Sequence, residues 1–168
     1  MRSRQFTIAG IEAIGIRVSF TGDLGWEVYI PTEHQEKLWD ALFEQGKDLG
    51  IMPVGGRSLG CLRIEKGYGS WSREYSPEYW PQEVGLDRLV KAEKDFLHKD
   101  RYLKVKNNAP REVLSLIHVQ DVTSADATGG EPIFLPDGTP VGRVTSGTFG
   151  YSVDMSLALG YLKDTPAG

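Results

Sequence analysis

The tightest constraint in this sequence is a glycine-framed pentapeptide, Thr21-Gly-Asp-Leu-Gly25, set between two stretches in which apolar and polar residues alternate. A period of two belongs to a half-buried strand, and glycines in the break supply the backbone freedom that a reversal needs. The pattern predicts a hairpin, with an incoming strand near residues 13–20 and an outgoing strand over 26–30. The period then lengthens. Leu38, Trp39, Leu42, Phe43 and Leu49 fall at helical spacing, and Thr32 followed by Gln35 has the form of a capping box, so a first helix is predicted over 33–49. Leu59, Leu62, Arg63 and Lys66 keep that spacing up to Gly67, which predicts a second helix over 56–66 ended by glycine.

Beyond Gly67 the character changes. Residues 68–81 carry Trp71, Tyr75, Tyr79 and Trp80 among Pro77 and Pro81, a composition that suits an ordered irregular loop. From Arg88 to Arg111 eight Lys or Arg face three acids, a net of +5, whereas residues 112–168 carry two bases against seven acids, a net of -5. That step, centred on Asn107-Asn-Ala-Pro110, predicts a boundary near residues 105–112, with domains over 1–105 and 106–168. Short apolar runs at 113–119, 141–148 and 157–162, with a turn at Pro136-Asp-Gly138, predict a small antiparallel barrel or sandwich. The fold class is therefore α+β: a hairpin with two helices, then a small all-β part.

Composition narrows function by exclusion. With 19 Lys plus Arg against 23 Asp plus Glu and a pI near 5.4, no general cationic field draws nucleic acid. No apolar run approaches the roughly 20 residues of a membrane span, and the start lacks the apolar core of a secretory signal. One cysteine, Cys61, and three scattered histidines, His34, His98 and His118, make neither an internal disulfide nor a Cys/His metal cluster. The expected setting is a reducing one, the cytoplasm of a bacterium or a mitochondrial matrix. There is no nucleophile elbow, P-loop, HExxH or dinucleotide-binding GxGxxG.

Glu27 is the most informative acid, because it follows the glycine turn and stands between Trp26 and Val28. A carboxylate placed so accepts two parallel N–H bonds from a flat ring with an amide N–H beside an amino group, as in a pterin or guanine. Alternation alone favours a solvent-facing strand residue, because alternate strand positions are normally polar. Arg57, Arg63 and Lys66 form either an anion-holding set or a solvated helix face, and the aromatic loop either stacks on a planar ligand or simply packs. Cys61 reads as a small buried hydrophobe, and the histidines as surface or structural residues.

Taken in order, these segments resemble the folate-binding aminomethyltransferase family, which includes the glycine-cleavage T-protein and the similar C-terminal portion of sarcosine and dimethylglycine dehydrogenases. The resemblance rests on Arg17-Val-Ser-Phe-Thr-Gly-Asp-Leu-Gly-Trp-Glu-Val-Tyr-Ile-Pro31, Gly56-Arg-Ser-Leu-Gly-Cys-Leu-Arg-Ile-Glu-Lys-Gly-Tyr68 and Trp71-Ser-Arg-Glu-Tyr-Ser-Pro77. Glu83-Val-Gly-Leu86, Lys94-Asp-Phe96, Thr145-Ser-Gly-Thr-Phe-Gly-Tyr-Ser-Val153 and Ser156-Leu-Ala-Leu-Gly-Tyr161 continue it over about residues 7–163. The segment around Trp71 and the C-terminal segments look most like the dehydrogenase-type members. Two positions depart from the pattern, Gly69 where an arginine is common and Ser72 where a glycine is common.

The resemblance implies transfer of a one-carbon unit from an aminomethyl or N-methylamine donor to tetrahydrofolate, giving 5,10-methylenetetrahydrofolate. Glu27 would hold the pterin, and Arg57, Trp71, Arg73 and Tyr75 would serve the ring wall and the anionic tail. No catalytic residue is assigned, since family members are about twice as long and carry their catalytic aspartate in the N-terminal half. The chain is thus expected to be the C-terminal half of a module: the end of a folate-binding domain, a connecting segment and a closing β-barrel. The partners implied are an N-terminal half or a flavoprotein body, a lipoyl carrier protein, or a second copy. The alternative is a non-catalytic folate-binding or partner-docking domain, or a relative with another methyl donor.

Overall fold

The computed structural model describes residues 2–122 and 125–163. The chain divides into two compact units, Met1–Lys66 and Gly67–Gly168.

In the first unit, β1 (Ser3–Ile8), β2 (Ile11–Ile16) and β3 (Glu27–Tyr29) form an antiparallel sheet in chain order. The predicted hairpin is the β2–β3 pair, while β1 was not foreseen. Its turn is Ala9-Gly10, with φ of 49° and 73°; two left-handed residues match the twist of the strands they join. Alanine is an unusual choice there, so the sequence carries no turn signal. The incoming strand stops at Ile16 because the chain then folds on itself: Arg17 donates to the Gly25 carbonyl at 3.2 Å and lies 5.8 Å from the centre of the Trp26 ring. Residues 17–26 are therefore a broad loop, closed where a Cβ on Gly25 would come within 2.9 Å of the Val18 carbonyl. Along β2, Ile11, Ala13 and Gly15 are buried while Glu12 and Ile14 are exposed, as a period of two requires.

Helix α1 (Gln35–Gly46) is flanked by single 3-10 turns at Thr32–His34 and Lys47–Leu49, so helical geometry spans the predicted segment. The capping box does not form: Thr32 lies inside the opening turn after Pro31, and no side chain caps either start. Helix α2 (Gly56–Glu65) ends before Gly67, whose φ of 68° is the left-handed stop read from the sequence. Leu38 of α1 and Ile64 of α2 are the buried apolar residues of these helices.

The second unit opens with irregular chain, followed by α3 (Lys99–Val105), a short helix absent from the sequence reading, entered through His98 at φ 62°. Strands β4 (Val113–Val119), β5 (Pro132–Phe134), β6 (Pro140–Gly150) and β7 (Met155–Leu162) make an antiparallel sheet of order β4-β7-β6-β5. The β5–β6 turn is the one predicted: Gly138 has φ 86°, and Asp137 accepts the Thr139 amide at 2.9 Å. Among the described residues the sheet is open, with β4 and β5 as its edges. Preceding chain meets the first edge at one point, where the Leu114 amide donates to the Glu83 carbonyl at 2.8 Å.

Glu83 is 2% exposed and accepts from Arg111 Nε at 2.9 Å and Nη2 at 2.8 Å, from the Trp80 amide at 2.8 Å and from the Arg111 amide at 3.1 Å. The bidentate guanidinium first, and then the two amides, overcome desolvation and lower its pKa to about 2. A depressed carboxylate contributes stability that is complete above its unfolded pKa and is lost as pH falls through the folded value. Stability should therefore fall by up to roughly 3 kcal/mol between about pH 4.5 and pH 2 through this group. Urea unfolding across that range tests it: Glu83→Gln should flatten the profile, and an unchanged acid slope would refute the assignment.

Candidate functional site

Strand β3 alternates its side chains, so Glu27 and Tyr29 share one face and Val28 takes the other. Pairing places Ile16 beside Glu27, Ile14 beside Tyr29, and Gly15 beside Val28. Val28 and Trp26 line a depression of about 610 Å³ with Arg4, Gln5, Phe6 and Gly15. Tyr29 lines another, of about 430 Å³, with Glu12, Ile14, Ile30 and Pro31 among its walls. Glu27 is exposed and lines neither; it is tied to the second through the Tyr29 hydroxyl, which donates to Oε2 at 2.5 Å. That bond, and then the charge of Glu27, raises the Tyr29 pKa above its ordinary value. Among the described residues Glu27 has no ion-pair partner. Arg17 is committed to Gly25 and Trp26, and Lys66 lies 3.5 Å from Asp23.

The three cations of the second predicted helix separate. Arg57 is exposed in the first turn of α2, Arg63 is buried, and Lys66 is paired with Asp23, so they present no common anion-binding face. The string Gly56-Arg-Ser-Leu-Gly60 fits GxSxG, but it lies within α2 and not on a strand-to-helix turn, so Ser58 is no nucleophile elbow. Cys61 is half-buried, His34 half-buried and His98 and His118 exposed. Among the described residues no group of three or more His, Cys, Asp or Glu is arranged to hold a metal.

Trp71, Arg73 and Tyr75 belong to the second unit. Trp71 is 79% exposed, Arg73 is exposed and Tyr75 is half-buried. A backbone bridge joins Trp71 to Tyr75, and the Ser72 amide donates to the Tyr75 carbonyl at 3.0 Å. The Tyr75 hydroxyl accepts the Gly69 amide at 3.1 Å, so it is already engaged in closing this loop. Gly69 is required there, since a Cβ would lie 2.7 Å from the Glu74 side chain and 2.8 Å from the Tyr75 ring.

What holds the loop is Glu74, which the sequence reading did not single out. It is 0% exposed; Oε2 accepts the Ser70 amide at 2.8 Å and hydroxyl at 3.1 Å, and Oε1 accepts the hydroxyls of Thr145 at 2.7 Å and Ser146 at 2.6 Å. Successive strand residues normally point to opposite faces. A β-bulge between Val144 and Ser146 breaks the alternation and lets both hydroxyls reach one oxygen. The Glu74 carbonyl accepts the Tyr161 hydroxyl at 2.6 Å, fixing the same loop to β7. The available signal was position alone, inside the Trp71–Pro77 segment that carries the resemblance.

Residues 1–94 match the GCVT N-terminal domain, and residues 113–168 match the Glycine cleavage T-protein C-terminal barrel domain. The chain belongs to the glycine-cleavage T-protein family. Mouse mitochondrial dimethylglycine dehydrogenase is 34% identical to it over 164 residues, covering 96% of this chain and 19% of that protein. An aminomethyltransferase of Symbiobacterium thermophilum is 29% identical over 163 residues, covering 95% of this chain and 43% of its own length. The crystal structure of the glycine cleavage system aminomethyltransferase T from Bartonella henselae superposes with a TM-score of 0.79 at 25% identity, over 90% of this chain and 42% of that one. The chain thus spans less than half the length of these relatives, and its mixed helix and antiparallel sheet architecture matches the superposed part of the Bartonella aminomethyltransferase.

Proposed function

We propose that this chain contributes to tetrahydrofolate-dependent one-carbon transfer, supplying one part of a folate site in a module completed by further polypeptide. The observation that carries the reading is the state of Glu27: an exposed carboxylate on the strand after the Thr21–Gly25 loop, without a cation, with Oε1 unpartnered among the described residues. An acceptor in that condition suits a ring that presents adjacent N–H groups. When bound, tetrahydrofolate would accept the one-carbon unit at its N5. Glu27 orients the ring, while Arg57, Trp71, Arg73 and Tyr75 are the candidates for its wall and anionic tail. Within the second unit a backbone bridge joins Trp71 to Tyr75, and the Tyr75 hydroxyl accepts the Gly69 amide; Arg57 and Arg73 are each exposed.

The donor is an aminomethyl group or one derived from an N-methylamine, and the dehydrogenase-like Trp71–Pro77 segment supports the second. A lipoyl carrier or a flavoprotein body is the corresponding partner, in a bacterial cytoplasm or a mitochondrial matrix. The part boundary near residues 105–112 belongs to the same proposal. Among the described residues no helix is long and apolar enough to cross a membrane.

Glu27→Gln keeps size and exchanges one acceptor oxygen for a donor. It should weaken tetrahydrofolate binding by roughly 1–3 kcal/mol, read by NMR titration of the folded variant. Unchanged affinity would remove the reading.

A further inference from the structure

The geometry points to Tyr29 as a positioning residue for Glu27: its hydroxyl engages Oε2 and holds the carboxylate in one orientation, leaving Oε1 to meet an N–H of the bound ring. This rests on the folate reading above. An exposed glutamate has three side-chain torsions and samples many orientations, and a ligand that needs one of them must immobilise it. Here the side chain has little else to settle on. Its cross-strand neighbour is Ile16, and that of Tyr29 is Ile14, so neither offers a competing polar group. Arg17 is held by the Gly25 carbonyl and the Trp26 ring.

Tyr29 is the better-anchored partner. Its ring has two torsions against the three of the glutamate, and it lines the depression shared with Ile14, Ile30 and Pro31. Residues two apart on a strand share a face, which is why the contact needs no distortion of β3. A hydrogen bond between two exposed groups adds little to folding, so its consequence lies in where the carboxylate stands. A tyrosine phenol is protonated, and therefore a donor, throughout the neutral range, and the bond to Glu27 raises its pKa further.

The test uses the full chain with Tyr29→Phe, Glu27→Gln and the double variant. Tyr29 is titrated by NMR on carbon-labelled tyrosine, and tetrahydrofolate binding is followed by protein-observed NMR up to millimolar ligand. Tyr29 should titrate above an ordinary phenol in the wild type and return toward the ordinary value in Glu27→Gln. Tyr29→Phe should weaken tetrahydrofolate binding about 3- to 10-fold, the effect of one hydrogen bond, and should cause no further loss in the Glu27→Gln background. A merely structural tyrosine would weaken both backgrounds equally. That result, wild-type affinity in Tyr29→Phe, or a Tyr29 titration unmoved by Glu27→Gln overturns the positioning role and leaves the folate reading intact, provided Glu27→Gln alone binds more weakly. No binding by the wild type even with the N-terminal half of a family aminomethyltransferase added, or full affinity in Glu27→Gln, overturns the folate reading and this role with it.

Discussion

Replacing Glu74 by alanine should destabilise the second unit by about 4 kcal/mol or more, the largest stability effect expected of any single side chain in this protein. The carboxylate has no exposed surface and satisfies the Ser70 amide and the hydroxyls of Ser70, Thr145 and Ser146. Alanine would leave the buried Ser146 hydroxyl and the half-buried Ser70 and Thr145 donors without this acceptor, at a cost of up to about 1–3 kcal/mol each, and would open a cavity beside Gly69 and β6. The hydroxyls have some recourse, because they rotate toward other acceptors. The amide of Ser70 is fixed by the backbone and cannot rotate. Glu74→Gln should therefore cost less, about 2 kcal/mol, since one carbonyl oxygen survives. Urea unfolding followed by far-ultraviolet dichroism measures both. A loss below about 1 kcal/mol for alanine would show that the loop is held mainly by its Tyr75 and Tyr161 contacts and that the anchor is misassigned.

Glu74 also shows where sequence reading stops. Elements governed by local rules were legible: both helices from the spacing of Leu38, Leu42 and Leu62, the stop at Gly67, the turn at Pro136-Asp-Gly138 and the strands β4 and β7. The misses occur where local signals are weak or the deciding partner is remote. The Ala9-Gly10 turn hid β1, and α3 is a seven-residue helix made largely of charged residues that follows a left-handed histidine. The buried acids are the clearer case. Between Arg73 and Tyr75, or between Gln82 and Val84, a glutamate looks like a surface residue. Its burial is decided by hydroxyls 71 and 72 positions away for Glu74 and by a guanidinium 28 positions away for Glu83. A bulge at Thr145 has no signature in a strand of alternating small and apolar residues. At the candidate site, alternation placed Glu27 on β3 but gave no account of Tyr29, because i and i+2 proximity becomes a contact only when two rotamers agree.

The isolated 168-residue chain should show no transferase turnover with tetrahydrofolate and an aminomethyl or N-methylamine donor, and activity should appear only when the remainder of a family module is supplied. Positioning and charge stabilisation carry most of such a reaction, and both require groups converging on the ligand from more than one side. The described residues offer one carboxylate suited to orienting a ring, Glu27. The other acids nearby are committed, Asp23 to Lys66 and Glu12 to the Thr7 hydroxyl at 2.9 Å. The two most buried carboxylates, Glu74 and Glu83, are saturated with donors and hold the fold. None of these five acids is placed to serve as an acid–base group for the transferred carbon, and the resemblance implies that such a group lies in the other half of the module. Binding should follow the same logic, since half the walls of a concave site give a small part of its affinity. A complementation assay decides it: purified chain alone, then with the N-terminal half of an aminomethyltransferase of this family added. Restored turnover that is lost again with Glu27→Gln supports the proposal. Turnover of about 1 per second or faster by the chain alone would place a competent catalytic group within these residues and overturn it.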